Sequence, residues 1–215
     1  MDCSDHVNAY YTVARRGRAM IRRRRSQFIG TALPLNDSDE AERVMDELAA
    51  EFPRANHHAY AYRLGRRVPS VRYSDAGEPS GTAGMPLLQL LEGRELTDCL
   101  VAVSRIFGGT LLGTGGLARA YSDAGREAIE MAGIERRVLH RVFRLSVPYA
   151  LWGQVEHHVR SSGYGGLKMQ YGAEVELELA VPEEEEPAFR TWVAEVSGGS
   201  IDVVAAGVRY VAKGD

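Results

Sequence analysis

The first apolar stretch, Tyr10-Tyr11-Thr12-Val13, holds residues that suit a pleated, half-buried surface and reads as a strand. Gly17 is placed to turn a hairpin that Phe28–Leu33 continues. The apolar positions then change to helical spacing. Ala41, Val44, Met45, Leu48 and Ala49 share one face, behind Asp37 or Ser38 as N-cap and ahead of Pro53. His58–Leu64 and Val71–Tyr73 read as short strands. Pro86–Leu91 begins a helix with proline in its first turn. Cys99–Ile106 is a near-continuous apolar run of the buried-strand type, and about Leu117–Met131 is helical. Gly133–Arg137 reads as a linker.

Beyond it the pattern starts afresh. Val138–Val147 alternates as a strand, Pro148–Arg160 is helical, and a third element runs as a strand through Tyr171 to a turn at Gly172-Ala173. Val175, Leu177, Leu179 and Val181 then alternate with Glu174, Glu176, Glu178 and Ala180, the signature of a strand with one buried face. Pro182 and four glutamates open a helix to about Val196, where acids suit the positive end of the helix dipole. Ser200–Tyr210 closes as a strand. The order βαββαβ predicts a ferredoxin-like domain. The chain is therefore expected to be α+β, with domains at residues 1–135 and 138–215.

A length of 215 residues is comfortable for two domains, and 45% hydrophobic with 26% charged residues is ordinary for a globular protein. No apolar run approaches the roughly 20 residues that span a bilayer, and Met1–Ala14 is too polar for a signal-peptide core. A cytoplasmic protein without a membrane partner is expected. The two cysteines, Cys3 and Cys99, form no CxxC pair, so a thiolate zinc site is unsupported; no metal and no cofactor are expected, the alternative being a metal held by His57 or His58 with Asp75 and Glu78. The net charge of −3 is unevenly spread. Residues 1–137 carry 19 Lys+Arg against 18 Asp+Glu, a balance of +1, and residues 138–215 carry 7 against 11, a balance of −4. Arg15, Arg16, Arg18, Arg22, Arg23, Arg24 and Arg25 fall in a stretch without an acid, which can attract a phosphate backbone.

Two glycine-rich segments, Ser74–Gly84 and Phe107–Gly116, each run into a predicted helix. Helix N-termini offer unpaired N–H groups, and glycines let a backbone approach a ligand closely. Gly81, Thr82, Gly84, Arg105, Gly108, Gly109, Gly113, Thr114, Gly115, Gly116 and Arg119 are the candidates to bind an anion. Neither segment is a Walker A motif or a Rossmann GxGxxG. The alternative is that these glycines make tight turns and the loops pack together. Asp75, Glu78 and Ser80 crowd the first loop downstream of His57, and these four are the candidates for nucleophilic catalysis, although no G-x-S-x-G elbow is present.

The segments Ser74-Asp75-Ala76-Gly77-Glu78-Pro79-Ser80-Gly81-Thr82-Ala83-Gly84 and Arg105-Ile106-Phe107-Gly108-Gly109-Thr110-Leu111-Leu112-Gly113-Thr114-Gly115-Gly116-Leu117-Ala118-Arg119-Ala120-Tyr121 resemble the two signature stretches of the IMPACT/YigZ family. Arg25-Ser26-Gln27-Phe28-Ile29 resembles its opening motif, and His57-His58-Ala59-Tyr60-Ala61-Tyr62 its histidine-bearing strand. The resemblance covers residues 10–130, and the acidic domain after it is similar to the second domain of the bacterial members. It implies a first domain of the α+β fold shared by a small-subunit ribosomal protein and domain IV of elongation factor G. It implies a role in translational control, which the eukaryotic relatives exert through a kinase regulator. Ala76, Ile106 and Leu111 depart from the residues usual in the family: an acid, a tyrosine and a lysine.

Three functions follow as expectations. One is a translation-linked binding protein contacting RNA, the ribosome or a translation factor through the arginine strip. A second is an enzyme or sensor for a phosphorylated or carboxylate metabolite at the glycine loops. A third is a protein–protein scaffold built on the acidic second domain.

Overall fold

The computed structural model describes residues 7–212, and of Leu167 the backbone alone. Cys3 lies outside the described residues. The chain divides into two compact units, Met1–Arg136 and Arg137–Asp215.

In the first unit a sheet runs in the order β2 (Gly17–Arg23), β3 (Ser26–Pro34), β6 (Cys99–Ile106), β4 (His57–Leu64), β5 (Ser70–Ser74). Every neighbouring pair is antiparallel. Successive side chains on a strand point to opposite faces, and here both faces are covered. Leu33, Leu100, Ala102 and Tyr62 meet α1 (Ser38–Glu51) through Ala41, Val44 and Leu48. Phe28, Ala32, Ala59, Ala61, Val101 and Val103 meet α2 (Gly84–Gly93) and α3 (Thr114–Ala132). Double coverage explains why β6 reads as an unbroken apolar run. Asp37 caps α1 by accepting a hydrogen bond from the Glu40 N–H at 2.7 Å.

The first strand, β1 (Ala9–Val13), does not turn at Gly17 into its neighbour. The hairpin lies between β2 and β3, where Arg23 faces Ser26 across a two-residue turn, Arg24-Arg25, and Arg24 takes φ 51°. Gly17 is needed for contact instead: a Cβ there would stand 2.1 Å from the Ala132 backbone N of α3. At Gly30 a Cβ would stand 2.2 Å from the Ala124 carbonyl oxygen. These two glycines let α3 lie directly on β2 and β3. The boundary between the units, at Arg136 and Arg137, falls within residues 133–137, and residues 134–137 are in strand, since β7 (Ile134–Val147) begins immediately after Gly133.

In the second unit α4 (Tyr149–Ser162), β8 (Gly165–Tyr171), β9 (Val175–Pro182), α5 (Glu186–Ser197) and β10 (Val203–Ala212) follow β7. Their strands lie in the order β10-β7-β9-β8, all antiparallel, which is the ferredoxin-like arrangement expected. Val175, Leu177, Leu179 and Val181 are buried with Val155 of α4 and Phe189 and Val193 of α5. Among the described residues no helix is long and apolar enough to cross a membrane.

Candidate functional site

The turn Arg24-Arg25 and the second glycine segment, far apart in sequence, are neighbours in the first unit. Arg24 Nη1 donates to the Leu111 carbonyl at 2.6 Å. Gly108 packs so closely on Arg25 that a Cβ would stand 2.0 Å from the Arg25 carbonyl oxygen. Its N–H also donates to Ser26 Oγ at 3.2 Å. The segment then enters α3 at Gly113 (φ 73°), where no side chain caps the helix and no acid stands in the first turn. Thr114 and Gly115 are exposed there, and a Cβ on Gly109, Gly113 or Gly115 would meet nothing within 4 Å. Open space and uncapped N–H groups therefore coincide at this helix start.

The first glycine segment is arranged differently. Asp75 accepts hydrogen bonds from the N–H groups of Gly81 at 2.8 Å, Ala83 at 2.9 Å and Gly84 at 2.8 Å. Burial pushes the Asp75 carboxyl up, but these three backbone bonds outweigh it and hold the group below its ordinary range. Thr82 is turned inward, its hydroxyl donating to the Pro79 carbonyl at 2.6 Å. The donors expected to receive an external anion at Gly81 and Gly84 are thus occupied by the protein's own carboxylate.

Between the two segments lies a buried polar knot. Arg105 Nη1 donates to Glu78 Oε1 at 2.6 Å, and the Tyr121 hydroxyl donates to the same oxygen at 2.7 Å. The side chains of Arg105 and Glu78 are 5% and 3% exposed, so the pair is shielded from solvent. The Arg105 guanidinium also lies over the rings of Phe28 and Phe107, 5.3 and 5.2 Å from their centroids. Burial, then the Glu78 carboxylate, pushes the Tyr121 hydroxyl well above its usual range, so it stays protonated and donates. Arg105, expected to offer charge to an anion, spends it on Glu78.

The four catalytic candidates do not assemble as nucleophile, base and acid. Asp75 binds backbone N–H groups and Glu78 sits in the buried ion pair. His57 Nδ1 lies 2.8 Å from the Ala76 carbonyl, which can only accept, so Nδ1 carries a proton. His57 Nε2 is 3.9 Å from Glu78 Oε1, beyond hydrogen-bond reach. Ser80 is exposed, and among the described residues no hydrogen bond joins it to the other three. Nor do three His, Cys, Asp or Glu side chains among the described residues gather as a metal-ion site.

The arginine strip is also divided. Arg16 pairs with Glu47 at 3.3 Å, Arg18 Nη2 bonds Glu51 at 2.7 Å, and Arg23 pairs with Asp123 at 2.9 Å. Arg15, Arg22, Arg24, Arg25 and Arg119 are exposed, and among the described residues none has a carboxylate partner within 4.0 Å. Sequence reasoning singled out neither Ser26 nor Tyr121 for a role. Tyr121 carried a signal, since a hydroxyl on the apolar face of α3 needs a buried partner. Ser26 carried none, because its bond partner lies 82 positions away.

Comparison with known proteins agrees with this architecture. The Impact N-terminal domain matches residues 24–129, and a domain of unknown function, DUF1949, matches residues 145–200. The IMPACT family member YvyE of Bacillus subtilis (strain 168) is 33% identical over 207 residues, covering 96% of this chain and 95% of that protein. The IMPACT family member YigZ of Escherichia coli (strain K12) is 31% identical over 191 residues, covering 85% and 90%. A crystal structure of a hypothetical protein superposes with a TM-score of 0.62 at 27% identity, covering 93% of this chain and 98% of that one. Relatedness to YvyE at 33% identity over nearly the full length of both chains means that this chain belongs to the IMPACT family.

Proposed function

We propose that the chain is a translation-linked regulatory protein whose first unit docks on the phosphate backbone of RNA, on the ribosome or free, at the β2–β3 turn. The observation that carries this reading is the set of three exposed arginines, Arg22, Arg24 and Arg25, free of carboxylate partners among the described residues and seated against the loop that leads to the uncapped start of α3. Exposed guanidiniums attract phosphate, and the helix start adds backbone donors and the positive end of the dipole. The translational setting rests on family membership. Arg16, Arg18 and Arg23 are not part of this docking surface, because their charge is neutralised within the unit.

The test is binding of a fluorescein-labelled single-stranded RNA across a salt series, followed by co-sedimentation with ribosomes. The substitutions Arg22→Gln, Arg24→Asn and Arg25→Gln are made together, asparagine being chosen because it tolerates the positive φ at position 24. Three phosphate contacts on a single strand correspond to a slope of log affinity against log salt of about −2. The triple variant is expected to lose that slope and most of the affinity. Binding that ignores salt, or a variant indistinguishable from the parent chain, would refute the reading.

A further inference from the structure

A cavity of about 280 Å³ opens in the first unit between α1 and the strands β4 and β5. Its floor is formed by Met45 and by Tyr60 and Tyr62, whose rings lie side by side with centroids 6.3 Å apart and planes 9° from parallel. Glu42 and Asp46, one helical turn apart on α1, form one wall, and Arg72 of β5, directly across the ladder from Tyr62, forms the other.

The charges here differ from those on the opposite flank of α1. On its other flank Glu47 and Glu51 are neutralised by Arg16 and Arg18. Glu42 and Asp46 have no such partner: among the described residues no ion pair within 4.0 Å joins either to Arg72 or to another base. Two carboxylates at i and i+4 repel one another, so the helix gains nothing from the pairing. A guanidinium and two carboxylates thus line one small cavity without neutralising each other.

That lining selects a ligand by exclusion. A simple anion is opposed by Glu42 and Asp46, and a simple cation is opposed by Arg72. A molecule carrying an ammonium and a carboxylate together meets all three without facing a like charge. The tyrosines add cation–π attraction for the ammonium and apolar surface for a side chain. At roughly 30 Å³ per liquid water the cavity holds the volume of about nine waters, room for a molecule the size of leucine or phenylalanine. We propose that this cavity binds a free α-amino acid with an apolar side chain. Its ammonium sits against Glu42 and Asp46, its carboxylate against Arg72, and its side chain over Tyr60 and Met45. The site is separate from the RNA-docking turn and does not depend on it.

The experiment is a ¹H–¹⁵N NMR titration of the full chain with L-phenylalanine and L-leucine, set beside 2-phenylethylammonium, which lacks the carboxylate, and 3-phenylpropanoate, which lacks the amine. Saturable shifts confined to α1, β4 and β5 are expected for the amino acids, with affinity for each truncated analogue weaker by about tenfold or more. Arg72→Gln and Asp46→Asn, both at exposed positions, are each expected to weaken L-phenylalanine binding by about tenfold while leaving the spectrum otherwise that of the folded chain. No saturable shift with either amino acid, shifts outside this cavity, or an analogue that binds as well as its parent would overturn the proposal. So would either variant binding L-phenylalanine undiminished.

Discussion

Replacing Glu78 by glutamine removes one charge from the buried knot while keeping the size of the side chain. The Arg105 guanidinium, 5% exposed, is then left as a buried charge without a carboxylate. Breaking a buried ion pair in this way costs about 3–5 kcal/mol, because the partner can neither return to water nor find another counter-ion. Glutamine can still accept from Tyr121 and Arg105, which places the expected loss near the lower end, about 3 kcal/mol. Over the roughly 130 residues of the first unit, at about 2.1 cal/mol/K per residue, that corresponds to a fall in melting temperature of about 10 °C. The assay must resolve the two units. Both tryptophans, Trp152 and Trp192, lie in the second, so intrinsic tryptophan fluorescence is blind to the first. Peptide-resolved hydrogen exchange is suited instead, and a 3 kcal/mol loss appears as exchange about 150-fold faster in peptides spanning β3 and β6. Replacing the whole knot by apolar groups, Glu78→Met with Arg105→Met and Tyr121→Phe, is expected to recover most of the loss, since a buried pair contributes little against hydrophobic packing. If Glu78→Gln accelerates exchange less than about fivefold, or the triple replacement is worse than the single, the knot does not hold the first unit together as argued.

Asp75→Ala frees three N–H groups at the start of α2 and is expected to cost about 2 kcal/mol by urea titration. Because the folded Asp75 carboxyl sits below its unfolded value of about 4, its contribution is present above that pH and is lost as pH falls through the folded value. The Asp75→Ala chain should accordingly lose less stability than the parent between neutral and strongly acidic pH. Gly108→Ala would place a Cβ 2.0 Å from the Arg25 carbonyl oxygen, whereas at Gly115 it meets nothing within 4 Å. The first is expected to destabilise by more than about 2 kcal/mol, through displaced backbone. The second is expected to gain up to about 1 kcal/mol from helix propensity, with thermal melts checking both. Burial, and then the neighbouring Asp98, pushes the Cys99 thiol up to about 12. In a Cys3→Ser background Cys99 is therefore expected to resist a thiol reagent at pH 8 until denaturant is added, and prompt labelling of that folded variant would count against its burial.

The elements that were legible in the sequence are those where burial is written locally. The alternation of Val175, Leu177, Leu179 and Val181 with glutamates gave a strand with one buried face, and those four side chains are buried. The helical spacing of Ala41, Val44 and Leu48 behind Asp37 gave α1 and its cap. The β2–β3 hairpin was misplaced because its turn, Arg24-Arg25, lacks the glycine or asparagine that usually supplies a positive φ, while Gly17 offered one nearby. Gly17 instead answers to the backbone of α3, 115 positions later at Ala132.

The sequence by itself therefore determined the two-part α+β organisation, most of the elements and the family, because each depends on periodicity or ordered motifs within a few dozen residues. The tertiary structure alone decided which charges are spent and which remain. Arg105 is taken by Glu78 across 27 positions, Arg16 by Glu47 across 31, Arg18 by Glu51 across 33, and Arg23 by Asp123 across 100. It likewise seated Gly108 of the second glycine segment on Arg25 and Ser26 and left that segment open at the start of α3. A local pattern reports which face of an element turns inward, but the partner of a charge is whatever the folded chain brings within a few ångströms, and Coulomb attraction takes no account of distance along the sequence.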